Sequence, residues 1–127
     1  MSTREMTTAN FAETIAKGTV LIDWWAPWCG PCRAFAPVYE AVARKHPDVT
    51  FAKVNTEAES GLAGAFQIRS IPTLMVFRDG ILLFREAGML PGAALEELVR
   101  RVAEVDMDAV RTKLAEAEAA DARRVAV

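Results

Sequence analysis

Cysteine is nearly missing from this chain: there are two, Cys29 and Cys32, three positions apart. Histidine is scarcer still, with His46 alone. Structural zinc takes about four ligands, and one distant histidine followed by Pro47 does not complete such a set. A two-chain metal site would need a dimer that nothing in the sequence suggests. Long apolar runs are also lacking. The stretch Thr19 to Trp25 is short and broken by Asp23, far from the about 18 apolar residues of a membrane-crossing helix. Met1 to Asn10 is polar and does not read as an export signal, so the expected compartment is the cytoplasm, where thiols are kept reduced. Neither sign of charge dominates. The net charge is −2 and the basic residues are scattered, which gives no electrostatic reason to expect nucleic acid or an anionic membrane as partner.

What is present fits one domain. The chain has 127 residues, 52% of them hydrophobic and 25% charged, enough for one core and too few for two domains of ordinary size. Asn10 followed by Glu13 predicts a capping box opening a short helix that ends near Gly18. Val20–Ala26 is apolar on both alternating faces except at Asp23, the pattern of a central strand covered on both sides. A helix opens at Cys29, with Phe35, Val38, Tyr39 and Val42 at helical spacing and Pro37 bending it. Val49–Asn55 reads as a strand and Ala58–Phe66 as a short helix weakened by Gly61 and Gly64. Thr73–Arg78 and Ile81–Ala87 flank Asp79-Gly80, a strong hairpin signal. Pro91 starts a helix with Leu95, Leu98, Val99, Val102 and Val105 on one stripe. The expected fold is α/β: a central mixed sheet, parallel in its first half, with helices on both faces. Residues 1–105 form the expected domain. Residues 106–127 form a C-terminal helical extension, docked loosely or frayed, and there is no internal repeat.

The chemistry centres on the two cysteines. Residues three apart in a first helical turn lie on one face, close enough for a short disulfide. The helix dipole and free N–H groups stabilise a thiolate at Cys29, which makes it the expected nucleophile. Cys32, one turn deeper, is expected to resolve the mixed disulfide. Gly30 and Pro31 form a tight turn that lets another chain approach. A purely structural disulfide here would close too small a loop to stabilise much, so redox chemistry is the favoured reading. Asp23 is an acid in a core strand. Burial raises a carboxyl pKa, which suits a base for Cys32, while a paired Asp tolerated at a strand edge is the competing reading.

Asp23, Trp24-Trp25-Ala26-Pro27-Trp28-Cys29-Gly30-Pro31-Cys32-Arg33 and the downstream Ile71-Pro72-Thr73 together resemble the thioredoxin family, over roughly residues 7 to 105 and in its element order. The resemblance implies a protein-disulfide reductase that binds no cofactor. A separate NADPH-dependent flavoprotein, thioredoxin reductase, would recharge it. It favours the base reading for Asp23 and makes Lys53 the partner of that carboxyl, although a solvated strand lysine is the plain alternative. It implies a cis Ile71-Pro72 bond facing the disulfide. It also implies an apolar docking surface of Trp28, Gly30, Pro31, Ile71, Pro72, Ala87 and Gly88, where a side chain at Gly88 would obstruct the substrate. Trp25 is expected to pack beneath the site, and Trp24 reads as plain core.

Departures are few. Pro27 stands where the family is often polar or acidic, Pro91 stands where a capping Ser or Thr is common, and the tail beyond Val105 has no counterpart in the minimal domain. The expected function is reduction of protein disulfides by a monomer. The rivals are an oxidant or isomerase on the same fold, disfavoured because oxidising members tend to carry a His between the cysteines, and a non-catalytic holdase or assembly subunit.

Overall fold

A computed structural model describes residues 2–126; Met1 and Val127, the outer ends of the two expected segments, lie outside the described residues. In chain order the elements are β1 (Thr3–Glu5), α1 (Phe11–Ile15), β2 (Thr19–Trp25), α2 (Gly30–Lys45), β3 (Thr50–Asn55), α3 (Ser60–Ala65), β4 (Thr73–Arg78), β5 (Ile81–Ala87), α4 (Gly92–Ala103) and α5 (Met107–Ala126). The five strands form one sheet in the order β1-β3-β2-β4-β5. The pairs β1–β3 and β3–β2 are parallel, and β2–β4 and β4–β5 are antiparallel.

β2 lies at the centre, and its alternating side chains feed two cores. Val20, Ile22 and Trp24 face Phe11 of α1 and Leu62 of α3. Leu21 faces Phe35, Tyr39 and Val42 of α2 and Leu95, Val99 and Val102 of α4. Each fully buried side chain of this size contributes about 1.5–3 kcal/mol of transfer free energy. Leaving either face of β2 uncovered would therefore cost more than a small domain can spare. Trp24 is a core residue, wholly buried.

Several local details differ from the sequence reading. β1 was not expected, since Thr3-Arg4-Glu5 carries no apolar alternation. It forms because its backbone pairs with β3, and the Met6 N–H extends that pairing to the Lys53 carbonyl at 2.8 Å. The capping box at Asn10 is absent: Asn10 stands at the N-cap but makes no forward cap bond. Its Oδ1 instead accepts the Thr7 N–H at 2.8 Å. α1 ends at Ile15, before Gly18, whose φ of 71° and bonds to Asp79 belong to the hairpin end of the sheet. α3 is two residues later at its start than expected and one shorter at its end, and α4 begins at Gly92 with Pro91 as its uncapped N-cap. α2 runs unbroken through Pro37. The hairpin turn places Asp79 at φ 52° and Gly80 at φ 83°, as a tight turn between antiparallel strands requires.

The tail is a continuous helix. Met107 is buried and Val110 half-buried, whereas most of the rest of α5 is exposed. Arg78, at the end of β4, fixes its approach. Its Nη1 donates to the carbonyls of Val102 at 2.8 Å, Val105 at 2.9 Å and Ala103 at 3.4 Å, tying β4 to the turn between α4 and α5. Arg78→Ala is expected to cost about 1–2 kcal/mol in urea unfolding, with a loss of helical circular dichroism at lower denaturant as α5 detaches.

Candidate active site

β2 delivers the chain to the site. It ends at Trp25, and after Ala26-Pro27-Trp28 the chain enters α2 with Cys29 as the N-cap. Gly30 and Pro31 occupy the first positions of the helix, where proline loses no intrahelical hydrogen bond. Cys29 and Cys32 form a disulfide with their Cα atoms 5.2 Å apart. Cys29 Sγ accepts the Cys32 N–H at 3.2 Å and lies 3.7 Å from the Ile71 carbonyl oxygen. Both cysteines are buried, Cys29 at 4% and Cys32 at 2% exposure, in a small apolar cluster with Ala26, flanked by half-buried Trp25 and Ile71.

The rim is apolar and open. Trp28 is 64% exposed, and its ring is held by a bond from Nε1 to Glu57 Oε1 at 2.9 Å. Arg33 reaches back to the Pro27 carbonyl at 3.0 Å and steadies the approach to α2. Pro72 is buried, and the Ile71-Pro72 bond is cis. Gly88 N–H donates to the Pro72 carbonyl at 2.8 Å, which ties the Ala87-Gly88 corner to the proline loop. Gly88 has φ 104°, a conformation side chains rarely adopt, while a Cβ there would meet no atom of this chain. Within the chain, backbone conformation and not crowding is what demands glycine at that position.

On β2, Asp23 is fully buried, and neither carboxylate oxygen has a hydrogen-bond partner among the described residues. Two residues on from Leu21, it shares with it the face of β2 that α2 covers. Burial pushes its pKa up from 3.8 to about 7, against an opposing pull from Lys53. Lys53 is its register neighbour on β3 and is half-buried, with Nζ 4.7 Å above the Trp25 ring. The lysine thus sits close enough to act on Asp23 through space while its ammonium rests on an aromatic face. Tyr39 of α2 donates its hydroxyl to the Ala52 carbonyl at 2.8 Å. Its pKa is driven well above the ordinary value by burial first and by the Asp23 charge second.

His46 lies at the C-terminal end of α2 and faces Glu96 at 3.3 Å. Among the described residues, no three His, Cys, Asp or Glu side chains are grouped to hold a metal ion. Glu57 escaped the sequence reading because a lone acid in a loop carries no pattern. Tyr39 was read only as part of an apolar stripe.

The thioredoxin family model matches residues 2–104. The chain belongs to the thioredoxin family. The putative thioredoxin 2 of Streptomyces coelicolor is 50% identical over 119 residues, covering 93% of this chain and 89% of that protein. Thioredoxin 1 of Synechococcus elongatus is 43% identical over 93 residues, with 71% of this chain and 87% of that protein covered. A thioredoxin of Chlamydia trachomatis is 42% identical over 92 residues, with 72% and 90% covered. Family membership and the Cys29–Cys32 disulfide make the chain a thiol–disulfide oxidoreductase of the protein-disulfide reductase class. A match over 93% of the chain also runs past the family model's end at residue 104 and into α5, so the Streptomyces relative shares much of the tail.

The buried carboxyl gives the fold a distinct pH dependence. The folded state holds the Asp23 proton up to about pH 7, while the unfolded chain releases it near 3.8. Stability therefore falls as pH rises between these values, and the full penalty applies above about 7. In urea titrations of the disulfide form, Asp23→Asn should gain stability relative to the parent across that window. The gain should level off above pH 7 at on the order of 3–4 kcal/mol and vanish below pH 4.

Proposed function

We propose that Cys29 is the attacking thiolate and Cys32 the resolving thiol in reduction of disulfides carried by other proteins. The observation that carries this reading is the placement of Cys29 Sγ at the N-cap of α2, where it accepts the Cys32 N–H. A helix N-terminus stabilises negative charge, and a thiolate is the form that attacks. The thiolate attacks one sulfur of the substrate disulfide, forms a mixed disulfide and expels the other sulfur as a thiolate. Cys32 then attacks Cys29, closing the internal disulfide and releasing the reduced product.

Asp23 supports the second step by taking the Cys32 proton. Its pKa of about 7 lets it hold or release a proton at neutral pH, and Lys53 tunes that carboxyl by its charge. The substrate segment lies against Trp28, Gly30, Pro31, Ile71, Pro72, Ala87 and Gly88. No cofactor binds. A separate flavoprotein, thioredoxin reductase, returns electrons from NADPH to the Cys29–Cys32 disulfide, so the chain works as an electron carrier in cellular redox homeostasis. No described helix is long and apolar enough to cross a membrane, and a reduced cytoplasm is the compartment in which such a reductant works. We also read the chain as a monomer with no nucleic-acid or membrane partner. Residues 1–105 form its working domain, and 106–127 form an extension that stabilises the fold.

Cys29→Ser is expected to show no insulin reduction above background. Cys32→Ser should instead accumulate a covalent mixed disulfide with substrate, visible on non-reducing gels. A reduction potential near or below about −220 to −320 mV fits a reductant, and one near about −120 to −180 mV would make the protein an oxidant or isomerase. Retention of cellular function by a double Cys→Ser variant would mark a non-catalytic holdase or assembly role.

A further inference from the structure

Four large apolar residues stand exposed among the described ones: Trp28, Leu82, Met89 and Leu114. Two of them adjoin, along the chain, segments that form the site. Trp28 immediately precedes Cys29 and is pinned to Glu57. Met89 follows Gly88, whose N–H is bonded to the Pro72 carbonyl, so it leaves the sheet beside the proline loop. Met89 is 44% exposed, whereas Met6, Met75 and Met107 are exposed by 1%, 0% and 6%. Among the described methionines it alone is exposed. Because Cys29 is itself 4% exposed, a substrate disulfide reaches Cys29 only if the surrounding segment seats on the exposed rim, and Met89 extends that rim.

We propose that Met89 is a modification site: a hydroperoxide oxidises its thioether to the sulfoxide and thereby weakens the docking of disulfide-bearing proteins. The inference rests on the reductase reading above and adds a control on the same site. A sulfur lone pair attacks the terminal peroxide oxygen, the O–O bond breaks, and the sulfur gains one oxygen while losing two electrons. The proton on that terminal oxygen passes, through solvent, to the departing oxygen, so the peroxide leaves as water or an alcohol. The product is polar where an adaptable apolar side chain had been, so a protein substrate loses an apolar contact while Cys29 and Cys32 are untouched.

The test uses the full chain in its disulfide form, in which the cysteines are protected. It is treated with hydrogen peroxide, freed of oxidant and assayed for insulin reduction beside its own untreated sample. Met89→Leu is handled identically. The expected result is one added oxygen on the Met89 peptide by mass spectrometry and a KM for insulin about three- to tenfold higher. kcat and the reduction potential should stay within twofold and within error, respectively, and Met89→Leu should show no peroxide response. Untreated Met89→Gln, polar at the same length, should raise KM in the same direction. The inference is overturned if Met89 gains no oxygen, if it gains one without a change in KM, or if treated Met89→Leu loses activity as the parent does, which would place the damage elsewhere, at Trp28 for example. An untreated parent that fails to reduce insulin would refute the reductase reading itself, a separate outcome.

Discussion

The double covering of β2 is the constraint from which most of this structure follows. A strand apolar on both faces has to be sandwiched, and here α1 and α3 close one side while α2 and α4 close the other. β3 and β4 then become obligatory neighbours, since the backbone groups of a strand so deeply placed have no water to turn to. The rigidity matters at the end of the strand. Trp25 and the short segment after it launch α2 from the edge of a packed core, which holds the N-cap sulfur and the proline loop in register with each other.

Asp23 is the one position at which β2 breaks its own rule. An apolar residue there would pack without penalty, and the carboxyl instead sits unbonded beneath α2, its charged form disfavoured by burial. The local loss is tolerated because the two cores around it are large. The result is a carboxyl whose pKa burial raises to about 7 against the pull of Lys53 on β3. For Tyr39 on α2, burial and then the charge of that carboxyl raise the pKa. On the role proposed for Asp23, stability and proton chemistry are opposed at this residue.

The legible parts of the sequence were those with periodic or conformational signatures. β2, α2, the Asp79-Gly80 hairpin and α4 each repeat an apolar spacing or carry a turn pair, and all were placed within a residue or two. The cysteine pair needed only its spacing, whereas the places of Trp25 and Trp28 came from the family resemblance. β1 was hidden because an edge strand held by its backbone leaves no side-chain pattern. The misread cap shows a different limit: Asn10 does stand at the helix start, but its oxygen binds backward to Thr7, a choice between two nearby N–H groups that composition does not encode. Glu57 and Arg78 act across the fold, with partners far away in sequence, and no local window brings them together.

The far side of the sheet carries a consequence of its own. β5 is an edge strand, with one row of peptide groups facing no other strand, and such edges recruit extended chains indiscriminately. Here the strand is interrupted by a bulge opposite Val76 and Phe77, and exposed Arg85 and Glu86 stand along it. These features break the flat, uncharged ladder that amyloid-like growth requires. The β5 edge is thereby left a poor template for another strand.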